Sequence, residues 1–125
     1  MFKYYNPHPQ KKIVGDCAIR ALSKALNKTW DEIYIDLAVE GFCMCDLPNA
    51  DVVWGNYLVR HGFTRYLIPD DSFGAYTIGD FANNHPSGVY VVSVPGQHVV
   101  TIVDSVVYDS WDCRNEIPSY FYKKK

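Results

Sequence analysis

The residue best placed to react is Cys17. It follows the Gly15-Asp16 break and opens the run Cys17-Ala18-Ile19-Arg20-Ala21-Leu22-Ser23-Lys24-Ala25-Leu26-Asn27. Ile19, Leu22 and Leu26 recur at helical spacing with Ala18, Ala21 and Ala25 beside them, which predicts a helix with one buried face. Asp16 has the chemistry of an N-cap and Asn27 that of a stop. Cys17 then takes the first helical position, where unpaired backbone N–H groups and the helix dipole favour negative charge. A thiol there ionises more readily than an ordinary one, as a nucleophilic cysteine requires. The same N–H groups could donate to an oxyanion formed beside the sulfur. The plain alternative is a small buried residue at a helix start.

A thiol nucleophile needs a base, and His98 heads the run His98-Val99-Val100-Thr101-Ile102-Val103, whose β-branched content predicts a strand. Asp104-Ser105 reads as a two-residue hairpin turn, close to the favoured Asp-Gly type, and Val106 to Trp111 as the returning strand. Such a turn sets Val103 opposite Val106, Val100 opposite Asp109 and His98 opposite Trp111. His98 and Asp109 then share a face as diagonal neighbours. A carboxylate so placed accepts from one ring nitrogen, fixes the tautomer and leaves the other nitrogen free as a base. Asp112 is the alternative acid, although in this register it points to the other face unless a bulge turns it. Read without chemistry, the same pair is a surface His–Asp contact of little energetic weight. Together, Cys17, His98 and Asp109 form a mechanically consistent set of nucleophile, base and orienting acid.

The remaining elements must position these groups. The first 14 or so residues, with Pro7 and Pro9, read as an extended lead-in. Thr29 and Glu32 form a capping-box pattern opening a second helix through Trp30, Ile33, Tyr34, Leu37 and Ala38, with Gly41 as its end. A third helix runs from about Ala50 to His61 and stops at Gly62. Trp30, Trp54 and Tyr57 fall at helical spacing and read as core. Phe63 to Ile68 suits a short strand. Thr77 with Asp80 opens a short helix that halts before Pro86. Val89 to Val94 is a strand, Pro95-Gly96-Gln97 a turn, and Ile117 to Tyr122 a last strand. Helices followed by an antiparallel sheet predict an α+β fold. The loops Phe42 to Asn49 and Leu67 to Tyr76 are left to carry specificity.

Composition narrows the function. The chain has 125 residues, 48% apolar and 21% charged, which suits one globular domain over residues 1–125 with a core of its own. Twelve Lys and Arg against 14 Asp and Glu leave a net charge of −2, a poor basis for gripping nucleic-acid phosphates. Lys123-Lys124-Lys125 reads as a solvated tail. No apolar run reaches membrane-span length and the start has no apolar leader, so a cytoplasmic location and reduced cysteines are expected, with no membrane partner.

Other sites are weaker. Cys43-Met44-Cys45 and Cys113 with His8, His61 or His85 lack zinc-site spacing, so no metal or cofactor is expected. His61 and His85 suit helix ends, where a ring donor meets the last carbonyls. Gly74, Gly79 and Gly88 are scattered rather than arranged as a phosphate loop.

Gly15-Asp16-Cys17-Ala18-Ile19-Arg20-Ala21-Leu22-Ser23 resembles the nucleophile helix of papain-like cysteine hydrolases, including NlpC-like peptidases and the OTU deubiquitinases. Gln97 to Asp104 with Val107 to Asp112 resembles their histidine strand and the acid strand after it. The whole chain is also similar to small phage and bacterial proteins of that fold. The resemblance implies N-terminal helices carrying the nucleophile, packed on a C-terminal sheet. It implies hydrolysis of an amide, isopeptide or thioester bond in a peptide or protein substrate. It also implies an oxyanion role for Gln10, with Asp16 beside it. Val14 stands where OTU enzymes often carry a catalytic acid, and Gln10 is one residue off the papain spacing. Two alternatives stay open: a catalytically silent binding module, such as a phage protein that targets a host factor, and an acyltransferase or transglutaminase-like enzyme.

Overall fold

The computed structural model describes residues 1–69 and 76–125. Its elements run β1 (Phe2–Tyr4), α1 (Cys17–Leu26), α2 (Trp30–Met44), α3 (Asp51–Arg60), β2 (Phe63–Leu67), α4 (Ile78–Asn84), β3 (Val89–Val94), β4 (His98–Val103), β5 (Val106–Asp109) and β6 (Tyr120–Lys124). The described residues thus form an α+β fold of four helices and a six-stranded mixed sheet.

Local chemistry explains most of the boundaries. Thr29 and Glu32 make both bonds of the capping box that opens α2, and Thr77 with Asp80 does the same for α4. Asn27 ends α1 in the left-handed conformation and returns its N–H to the Ser23 carbonyl. Asp104 and Ser105 both have positive φ, 48° and 71°, as a two-residue primed turn demands, and the pairing Val103–Val106 and Ile102–Val107 follows. His61 and His85 close helix ends, their Nδ1 atoms 2.8 Å and 2.7 Å from the Tyr57 and Phe81 carbonyls.

Four boundaries depart from the sequence reading. Gly41 does not end α2, which continues to Met44 and caps on Cys45 at φ 56°. Gly41 is there for close approach instead: a Cβ would lie 2.8 Å from the Asp46 carbonyl oxygen as the chain folds back. The lead-in supplies β1, which pairs in parallel with β5, so the sheet is mixed rather than antiparallel. Three residues are too few to show a strand period. The returning strand of the hairpin stops at Asp109. The last strand begins at Tyr120 and takes in Lys123 and Lys124, which pair with β2 and are exposed.

The sheet runs β1-β5-β4-β3-β6-β2, and both its faces are covered. On one face Ala18, Ala21, Leu22 and Ala25 of α1 join Ile33, Leu37, Val53, Trp54 and Leu58 against Val91, Val99 and Tyr122. On the other, Ile78, Phe81 and Ala82 meet Tyr90, Val92, Val100, Ile102 and Val107. Trp54 and Tyr57 are core, as their spacing predicts, whereas Trp30 is half-buried. Ile19 and Leu26 are also only half-buried, so α1 meets the sheet on its alanine side. Small side chains let helix and strand approach closely, and the Thr101 hydroxyl donates to the Ala21 carbonyl at 2.6 Å within that contact. This bond ties the helix of Cys17 to the strand of His98. Thr101→Val keeps the shape and removes the donor. It is expected to lower stability by about 1 kcal/mol in urea unfolding with an unchanged denaturant slope.

Candidate active site

Cys17 is half-buried at the tip of α1. Asp16 precedes it at φ −110°, ψ 27° and makes no side-chain cap bond. Its carboxylate is drawn elsewhere, accepting from Arg20 Nη1 at 2.6 Å and from the Trp30 indole at 2.8 Å. Asp16 is therefore neither the side-chain N-cap nor an oxyanion donor; a carboxylate has no proton to give. With no side chain claiming it, the first turn of α1 keeps N–H groups for an oxyanion beside the sulfur.

His98 enters from β4, its ring centroid 4.7 Å from that of Trp111. Its Nε2 lies 2.5 Å from Asp109 Oδ2. The other nitrogen, Nδ1, is free of Asp109, and the imidazole and the Cys17 thiol act on each other's protonation. Asp109 has no exposed surface. Its Oδ1 accepts from Arg20 Nε at 2.9 Å and from the Ser110 N–H at 2.7 Å, and the Cys113 sulfur lies within 4.8 Å of the carboxylate. Arg20 therefore bridges two carboxylates from inside the protein. The spacing of Asp16 and Arg20 is the i, i+4 signal of one of these pairs; nothing in the sequence announces the second.

These contacts set the protonation states. Burial alone raises the Cys17 pKa, but the hydrogen bond and charge of His98, an N–H bond from Val99 and the charge of Arg20 outweigh it, so the thiol is more acidic than usual. Burial alone lowers His98, but Asp109 and Cys17 overcome it and lift the imidazole from 6.5 to about 9. Asp109, despite its burial, is held below its ordinary value by His98, Cys113 and Arg20. Burial and the neighbouring Asp109 charge push Cys113 well up, so it stays a thiol. The arrangement favours a thiolate–imidazolium pair backed by an ionised carboxylate.

The other site candidates fall away from this centre. Asp112 is exposed, and its two oxygens accept from Arg114 Nε and Nη2 at 2.8 Å, holding it at about 2. It cannot orient His98. Gln10 is exposed on a turn whose N–H bonds His8 Nδ1, and it does not line the cleft beside Cys17. Gln97, next to His98, does line it. Cys43 and Cys45 are exposed while Cys113 is buried, so they form no joint metal site. His98, Asp109 and Cys113 do bring N, O and S atoms within 4.8 Å of one another. Arg20 on the same carboxylate opposes a cation there, and the set reads as a hydrogen-bonded relay.

The cleft holds about 640 Å³ between the start of α1, residues 49–52 and the Gly96-Gln97-His98 turn. It gives Cys17 and His98 a common opening. A smaller, more apolar cavity of about 270 Å³ lies by Leu67, Ile68, Phe81 and Phe121. Of the loop from Leu67 to Tyr76, residues 70–75, Gly74 among them, lie outside the described residues. No described helix is long and apolar enough to cross a membrane.

The chain matches no protein-family model, no curated protein and no solved structure.

Iodoacetamide at pH 7, read by peptide mass spectrometry, should alkylate Cys17 well ahead of Cys43, Cys45 and Cys113. Asp109→Asn removes the charge that sustains the imidazolium and should slow Cys17 labelling by about 10-fold, one pKa unit's worth of thiolate. Equal rates at Cys17 and the exposed cysteines would show an ordinary thiol.

Proposed function

We propose that the protein is a papain-like cysteine hydrolase that cleaves amide, isopeptide or thioester bonds in a peptide or protein. The observation that carries this reading is Cys17 at a helix tip and His98 opening on one cleft, with Asp109 bonded to the far nitrogen of the same imidazole. A thiolate with a matched acid–base partner beside a cleft serves acyl transfer better than it serves packing.

The steps follow from the groups present. The Cys17 thiolate adds to the acyl carbon, and the carbonyl electrons move to oxygen. The resulting oxyanion sits against the N–H groups at the start of α1. As the tetrahedral species collapses, the bond to the leaving amine or thiol breaks and the His98 imidazolium gives that group a proton. A thioester to Cys17 remains. The neutral imidazole then takes a proton from water as its oxygen attacks the thioester. Collapse releases the acid and restores the ion pair. Asp109 stays ionised throughout, because Arg20 and the Ser110 N–H hold its second oxygen. Its task is to orient His98 and stabilise the imidazolium.

Turnover of a panel of peptide amides, isopeptides and thioesters tests the reading. Cys17→Ala should abolish it, and His98→Ala should lower kcat/KM by about 10²–10⁴. The pH profile should be a bell. Its lower limb marks ionisation of Cys17, below an ordinary thiol, and its upper limb lies near 9, where His98 loses the proton needed by the leaving group. Amine incorporation in place of release to water would make the enzyme an acyltransferase. Slow labelling of Cys17 together with no turnover would leave a binding module on the same fold.

A further inference from the structure

The cleft has a charge of its own. Its lining takes one wall from the start of α3 and the other from the turn before β4. Apart from Cys17 and His98, whose charges oppose each other, Asp51 is the only lining residue, among those described, that carries a formal charge. No Lys or Arg is among its described lining residues.

Asp51 also differs from the other buried or bridged acids. Asp16 and Asp109 share Arg20, Asp36 pairs with Lys28, Glu40 with Arg60 and Asp112 with Arg114. Among the described residues Asp51 has no cation within ion-pair distance; it accepts from the Trp54 indole and the Gly96 N–H, each at 3.2 Å, and the Tyr120 hydroxyl also interacts with it, all neutral groups. The Arg65 guanidinium stacks over the Tyr120 ring, 4.2 Å from its centroid. The first turn of α3 offsets part of the Asp51 charge. These neutral contacts leave acceptor capacity on the carboxylate. They also hold the carboxylate between the two walls of the cleft.

We infer that the cleft takes substrates with a cationic group, a lysine or arginine side chain beside the reactive carbonyl, and that Asp51 receives it. A fixed, half-buried anion in a walled cleft focuses its field on whatever enters, more than an exposed one does. It also disfavours acidic residues at the same position. The inference rests on the hydrolase reading only for the bond that is cut; the charge preference is a property of the cleft itself.

The test therefore uses Cys17 as a reporter and needs no turnover. The full chain is treated with two methanethiosulfonates of matched size, one bearing trimethylammonium and one sulfonate. Rates at Cys17 are read by mass spectrometry and normalised to a small-molecule thiol. At low ionic strength the cationic reagent should hold a normalised advantage of about 3- to 10-fold, which high salt should largely remove. Asp51→Asn keeps an acceptor for Gly96 or Trp54 and should abolish most of the advantage while Cys17 remains accessible. A normalised ratio near one in the native chain, or one unmoved by both salt and Asp51→Asn, overturns the inference. The salt series alone decides if the variant does not fold. If the hydrolase reading fails, it fails in the substrate panel with this ratio intact. If both hold, Lys- or Arg-containing acyl donors should outrun Glu-containing ones, and Asp51→Asn should narrow the gap mainly through KM.

Discussion

A carboxylate without solvent governs this structure. Asp109 is wholly buried, and a buried charge is tolerated only where opposite charge and hydrogen bonds replace water. Three groups do so, Arg20, His98 and the Ser110 N–H, with the Cys113 thiol close by. They come from α1, β4 and the segment following β5, so satisfying one carboxylate fixes the mutual placement of three parts of the chain. Arg20 passes the constraint on to Asp16 and, through Asp16, to the Trp30 indole of α2. Removing any partner would leave an uncompensated ion rather than a small void.

The same network explains why Cys17 and His98 can act as a pair. An imidazolium of raised pKa needs an anion that stays ionised, and Asp109 stays so because Arg20 shares it. A thiolate needs that imidazolium and a helix tip not claimed by a side-chain cap. Asp16 leaves the tip free because its carboxylate is held by Arg20 and Trp30. The residue that looks like a cap is thus part of the support for the orienting acid. Stability and reactivity draw on one set of bonds.

The sheet supplies the rigidity this needs. β3 and β4 are buried on both faces, and α1 meets β4 through alanines and the Thr101–Ala21 bond. A shift of α1 along the sheet would break that bond and part the thiol from the imidazole together. The cleft, by contrast, is walled by a helix start and a turn, with Asp51 bonding across them. Cys17 and His98 thus sit on the packed layers and Asp51 on their edge.

Local physics made much of this readable from the residues alone. Capping boxes at Thr29 and Thr77, the Asp104-Ser105 turn and the alternation of valines are short-range effects, so the helices, the hairpin register and the meeting of His98 with Asp109 follow from neighbours in sequence. The helical position of Cys17 is likewise local. What lay beyond reach is whatever depends on distant partners. Arg20 looks like a surface residue until Asp109 is brought beside it, and Asp16 looks like a cap until Trp30 competes for its carboxylate. Gln10 becomes ineligible only once the chain carries it outside the cleft that Gln97 lines. The parallel pairing of β1 has the same origin: three residues carry no period, and only the finished edge of β5 gives them a place. Sequence spacing reports contacts a few residues apart; burial and charge compensation are settled by which parts of the chain the fold finally sets side by side.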